Sequence, residues 1–147
     1  MEKYLFYNLD INDLTQKQKE IAEEKYGEVV WQTIYESGYE WVEEILAPKN
    51  IEDEIEMAAA KFALFLMQTA SSDNMNGFLS VFHLPIGSPA FMWALQKRLE
   101  IENFSKKREF IIVFSYFEED TIYVNKKDGS VEKKKIKKFL NFIEFKI

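Results

Sequence analysis

Residues 50–70, NIEDEIEMAAAKFALFLMQTA, constrain this chain more than any other stretch. Ile51, Ile55, Ala58, Ala59, Phe62, Phe65, Leu66 and Thr69 recur at helical spacing and so share one side of an α-helix. Glu52, Asp53, Glu54 and Glu56 occupy the other side of its first half, while Leu64 and Met67 make the second half apolar all round. A helix that starts amphipathic and ends apolar on every face is entering a domain interior. The spacing therefore predicts a central core helix, with the acidic turns left at the surface.

Around this helix the chain reads first as helices and then as strands. Residues 3–10 (KYLFYNLD) fit a short strand, ended by the turn formers Asn8, Asp10, Asn12 and Asp13. Thr15 and Gln18 have the spacing of a capping box. The helix they open carries Ile21, Ala22, Tyr26, Val29, Val30 and Ile34 on one face and runs to Ser37-Gly38, with Gly27 inside it. A shorter helix over 39–47 presents Trp41, Val42, Ile45 and Leu46 inward and stops at Pro48. Residues 71–77 (SSDNMNG) read as a loop, and 78–84 (FLSVFHL) fit either a helical turn or a strand. Ser88-Pro89 starts a helix over 89–102 that buries Leu95, Leu99, Phe91 or Met92, and Trp93.

The period then changes. Residues 110–117 (FIIVFSYF) are apolar on both faces, as in a strand covered on both sides. Glu118-Glu119-Asp120 is expected to turn the chain into a second strand, TIYVN, and Asp128-Gly129 is a strong hairpin signal. Residues 130–136 form a third strand whose lysines suit an exposed edge. The last eleven residues fit either a final helix or a fourth strand, and the helical spacing of Phe139, Phe142 and Ile143 favours the helix. The resulting fold class is α+β: an N-terminal helical half of about four helices packed on a small C-terminal antiparallel β-meander. A length of 147 residues suits a single domain spanning 1–147.

Composition removes several kinds of chemistry. There is no Cys and a single His, so Cys–His and multi-histidine sites are impossible within one chain. A Ser–His–Asp arrangement would have to use His83, which sits in an apolar run and reads as a structural residue. No phosphate-binding glycine loop and no EF-hand pattern occurs. Glu36, Glu40 and Glu44 are spaced for one helix face, but without a Glu-x-x-His pair they do not make a bundle metal site. No catalytic, metal or cofactor residue is therefore expected, and the chain is read as not an enzyme. The N-terminus lacks the pattern of a secretory signal and no apolar run could cross a bilayer, which reads as cytoplasmic with no membrane partner.

Charge points to a surface. The net charge is −6, but residues 1–60 hold five lysines against fifteen acidic residues, and residues 105–147 hold eleven basic against seven acidic. The acidic end disfavours nucleic acid and favours a basic partner. Glu24, Glu28, Glu36, Glu40, Glu43 and Glu44 decorate the first helices, with Trp31 expected among them opposite the apolar face and Tyr35 near it. Glu118, Glu119 and Asp120 add a second acidic patch at the turn. An aromatic anchor rimmed by carboxylates suits a protein partner, the ring supplying buried area and the charges supplying steering.

In size, acidity, lack of Cys and the stretch REFIIVFSYFEEDTIYVNKKDGSVE, the chain resembles the small acidic immunity proteins that neutralise polymorphic bacterial toxins, including those of contact-dependent inhibition systems. The resemblance implies a stoichiometric inhibitor, monomeric or homodimeric, that occludes the basic groove of a cognate toxin such as a nuclease. The alternative is a structural or regulatory interaction module that self-assembles or docks on a larger complex, with the sheet edge as its contact.

Overall fold

A computed structural model describes residues 3–10, 12–33, 52–84, 89–101 and 110–145. The elements in chain order are β1 (Lys3–Asn8), α1 (Gln16–Tyr26), β2 (Val29–Thr33), α2 (Glu52–Met75), β3 (Phe78–His83), α3 (Pro89–Ile101), β4 (Phe110–Asn125) and β5 (Val131–Glu144). The strands form one five-stranded mixed sheet in the order β2-β1-β3-β4-β5. β1 lies parallel to both β2 and β3, β3 lies parallel to β4, and β5 returns antiparallel to β4. Parallel neighbours need a crossover, and α1, α2 and α3 supply the three.

This corrects the expected fold class. The chain is strand-rich, with three helices and a five-stranded sheet among the described residues, rather than about four helices resting on a small meander. The expected helix over 39–47 lies outside the described residues.

β1, β3 and the first residues of β4 are covered on both faces because they alternate between two apolar sets, whereas the distal part of the β4–β5 ribbon, from Tyr116 to Lys138, is largely exposed. Phe6, Val81, Ile111, Val113, Phe139 and Phe142 pack with Ala22 of α1 on one face. Tyr7, Phe82, Phe110 and Ile112 pack with α2 and α3 on the other, where Ala59, Phe62, Phe65, Leu66, Ala70, Phe91, Leu95 and Leu99 are buried. Of the stripe read for α2, Ala59, Phe62, Phe65 and Leu66 are buried and Ile55, Ala58 and Thr69 partly so, Leu64 on the back is half exposed, and Ile51 lies outside the described residues. Trp93 does not point inward; it is 63% exposed, with the Lys97 ammonium 4.5 Å from the centre of its ring.

Four local differences have physical causes. The first helix ends at Gly27, not Gly38. Gly27 has φ +79°, and its N–H donates to the Glu23 carbonyl at 2.7 Å. The β-branched and aromatic run Val29-Val30-Trp31 then extends into β2. α2 continues through residues 71–75, and residues 78–83 are β3. Glu118, Glu119 and Asp120 do not turn the chain but sit inside the 16-residue β4, opposite Lys138, Lys137 and Ile136 of β5. The C-terminal tail is strand rather than helix through Glu144. Its helix-like spacing comes from a register slip: Tyr116 pairs with Asn141 but Phe117 pairs with Phe139, skipping Leu140. A bulge of this kind places residues three apart on one face, so Phe139 and Phe142 are both buried with ring centres 5.0 Å apart.

Candidate site at the carboxyl edge of the sheet

From β1 the chain crosses through α1 to β2 on one side, and from β2 it crosses through α2 to β3 on the other side of β1. The carboxyl ends of β1 and β3 are therefore the place where connections diverge to opposite flanks. In open parallel sheets such a switch point leaves a crevice outside the strand ends, and ligands bind there. Asn8 and His83, the last residues of β1 and β3, are register partners at this position.

Asn8, His83 and Gln18 are 3%, 2% and 6% exposed, and they are three of the four buried polar or charged residues found among those described. They are joined by Ser115 of β4 into one hydrogen-bonded chain. Asn8 Oδ1 lies 2.8 Å from His83 Nδ1, and His83 Nε2 lies 2.7 Å from Ser115 Oγ. Gln18 Nε2 donates to Ser115 Oγ at 3.0 Å. The same Gln18 closes the capping box of α1: its N–H donates to Thr15 Oγ1 at 3.2 Å, and its Oε1 accepts from the Thr15 N–H at 2.8 Å. The capping box read from Thr15 and Gln18 is therefore present, and it fixes one end of the network.

Proton positions follow from the partners. Asn8 Nδ2 donates to the Asn12 carbonyl at 2.9 Å, so Oδ1 is the atom facing the imidazole and can only accept. His83 Nδ1 must then carry the hydrogen. In the neutral ring Nε2 is an acceptor, so the Ser115 hydroxyl donates to it while accepting from Gln18. Burial keeps the ring neutral by pulling the His83 pKa down to about 4, against a smaller upward pull from the Asp10 carboxylate. Every polar atom in the chain has a partner of the right kind.

The surroundings hold the imidazole in place. The ring of Phe6 lies 6.2 Å from it, stacked, and that of Phe142 lies 5.4 Å away, edge-on. α1 and α3 follow β1 and β3 in chain order, and the start of α1 is fixed at this edge by the Gln18–Ser115 hydrogen bond, on the face opposite the one that α3 covers. Neither has an acidic residue in its first turn. Lys17 and Lys19 add positive charge to the start of α1.

The residues expected to contact a partner fall elsewhere. Glu24 is exposed near the end of α1 and Glu28 is exposed in the connection to β2. Trp31 is not opposite the apolar face of a helix. It is half-buried in β2, its ring 5.1 Å from that of Phe6 and 5.8 Å from the Lys19 ammonium. Glu118, Glu119 and Asp120 are exposed on β4. Tyr35, Glu36, Glu40, Glu43 and Glu44 lie outside the described residues. Sequence reasoning missed Asn8, Gln18, His83 and Ser115 as a group. The available signal was the polar end of two apolar strands, Tyr7-Asn8 and Phe82-His83, together with the lone Ser in FIIVFSYF.

Among the described residues no three His, Asp or Glu side chains are grouped so as to hold a metal ion, and no helix is long and apolar enough to cross a membrane. No family model, no curated protein and no solved structure matches this chain.

Proposed function

We propose that the carboxyl edge of the sheet is a binding site for a small phosphorylated ligand of the nucleotide class. The observation that carries this reading is the buried Asn8–His83–Ser115–Gln18 chain at the β1/β3 switch point. Buried polar groups cost stability unless paired, and a network this complete fixes the geometry of the one side chain in it that is half-buried rather than buried, Ser115. The phosphate preference rests on two general properties. Parallel sheets with diverging crossovers bind nucleotides at the strand ends, and helix N-termini free of acidic residues attract anions. Ser115 would hydrogen-bond the ligand, and the start of α1 would face its phosphate.

The test is thermal unfolding and calorimetric titration with a panel of linear and cyclic mono-, di- and oligonucleotides. At least one should raise the midpoint of the wild-type protein, and Ser115→Ala should weaken that ligand at least tenfold. A panel that shifts nothing at millimolar concentration overturns the reading.

A second reading keeps the chain as an inhibitor of a basic toxin. What supports it is the row of exposed carboxylates Glu20, Glu23, Glu24 and Glu28 along and just beyond α1. It requires a salt-sensitive 1:1 complex with a toxin encoded beside this chain. Lysine at positions 24 and 28 should abolish that complex, and unchanged binding would remove this mechanism.

A further inference from the structure

The network at the carboxyl edge has the parts and the order of a nucleophilic relay: hydroxyl, imidazole base, orienting amide. We propose that Ser115 is a nucleophile that attacks the phosphorus of an ester ligand, with His83 as its general base and Asn8 as the residue that orients the imidazole. The proposal rests on the reading of this edge as a phosphorylated-ligand site, and adds an activity to it.

Three geometric requirements are met. Nucleophile and base are within hydrogen-bond reach, at 2.7 Å, and base and orienter are at 2.8 Å. The tautomer is the one needed, because Asn8 Oδ1 takes the Nδ1 hydrogen and leaves the Nε2 lone pair facing the Ser115 hydroxyl. An amide occupies the orienting position in thiol–imidazole relays, where the third group holds the ring and takes up no proton. The Ser115 oxygen keeps one lone pair beyond the one that accepts from Gln18.

The step balances without any further reactant than water. The Ser115 proton passes to His83 Nε2 as the Oγ–phosphorus bond forms. The bond from phosphorus to the leaving oxygen breaks, and that oxygen departs with the proton from Nε2. Water then attacks the phosphoserine, giving its proton to Nε2, and Ser115 leaves and recovers it.

Diisopropyl fluorophosphate tests the nucleophile directly, because the same attack expels fluoride and leaves a stable adduct. One adduct per chain is expected, located by peptide mass spectrometry on Ser115, and absent from Ser115→Ala. In His83→Gln the labelling rate should fall by a factor on the order of 10²–10⁴, the usual contribution of a general base. The wild-type protein gives an independent readout that needs no variant to fold. Its labelling rate should hold down to about pH 5 and fall as the pH approaches 4, with Asp10 the charged group acting on the ring. A folded wild-type chain that takes no label, or labels elsewhere, overturns the proposal; so does a rate unchanged in a folded His83→Gln. A chain that binds a nucleotide but takes no label loses the nucleophile and keeps the binding site, so the two readings fail separately.

Discussion

Lowering the pH from 7 to 5 should destabilise this protein, chiefly through His83. The folded state holds the imidazole neutral with a pKa of about 4, while the unfolded chain titrates it near 6.5. Between those values the unfolded state binds the extra proton, so stability rises with pH through the window. The contribution is complete above about pH 6.5 and is lost progressively as the pH falls towards 4. Each unit of difference corresponds to about 1.4 kcal/mol, so the 6.5-to-4 gap amounts to about 3.5 kcal/mol in total, of which about 2 kcal/mol is lost by pH 5. The chain has one His, so no other side chain with an ordinary pKa titrates between 5.5 and 7.

Urea unfolding at pH 7, 6, 5.5 and 5 measures this loss. The wild-type curve should move steadily to lower urea, without a change in its slope. His83→Gln preserves a donor for Asn8 and an acceptor for Ser115 and removes the titration. Its stability should be lower at pH 7, by about 1–3 kcal/mol for imperfect replacement of buried hydrogen bonds, and nearly flat down to pH 5.5. A wild-type curve that is equally flat would refute the argument, because it would mean that the imidazole takes up a proton as readily in the folded chain as in the unfolded one.

Three further outcomes follow from the packing. Thr15→Ala removes the acceptor for the Gln18 N–H and should cost about 1 kcal/mol in urea unfolding. Because Gln18 also holds Ser115, the same variant should weaken whatever ligand the carboxyl edge takes. Phe62 is fully buried between Phe65 and Phe91, with ring centres 5.9 and 6.0 Å away, so Phe62→Ala should cost about 3–5 kcal/mol by the same measurement. At Gly27 an added Cβ meets no atom within 4 Å, yet φ is +79°; Gly27→Ala should therefore destabilise by about 1–3 kcal/mol through backbone strain alone.

How far the sequence could be read depended on whether each pattern was local. The buried face of α2 was legible, since a helix writes its burial into residues three and four apart, and Phe62, Phe65 and Leu66 lie where that spacing puts them. The capping box was legible for the same reason, all its atoms belonging to residues 15–18. β2 was not legible from periodicity because Val29, Val30 and Ile34 extend a helix-like apolar pattern past the true C-terminus. The backbone at Gly27 overrides that pattern, and a glycine inside an apolar run does not by itself say which side of it is helix. The tail misled in the opposite direction. Phe139 and Phe142 share a face through a register slip against Tyr116 and Phe117, so a helical spacing was produced by the partner strand and not by the segment itself.

The candidate site was hidden by the same logic carried further. Asn8, Gln18, His83 and Ser115 are spread over more than one hundred positions, and each has an ordinary local explanation: strand end, capping partner, core histidine, lone polar residue in an apolar strand. What joins them is strand order. β3 is inserted beside β1 rather than beside β2, and only that choice makes Asn8 and His83 neighbours in register and brings β4, with Ser115, next to them. Charge counting pointed to the acidic helices because charge is visible residue by residue. A neutral imidazole held by an amide and a hydroxyl carries no charge to count, so the part of this chain best arranged for chemistry is the part that composition registers least.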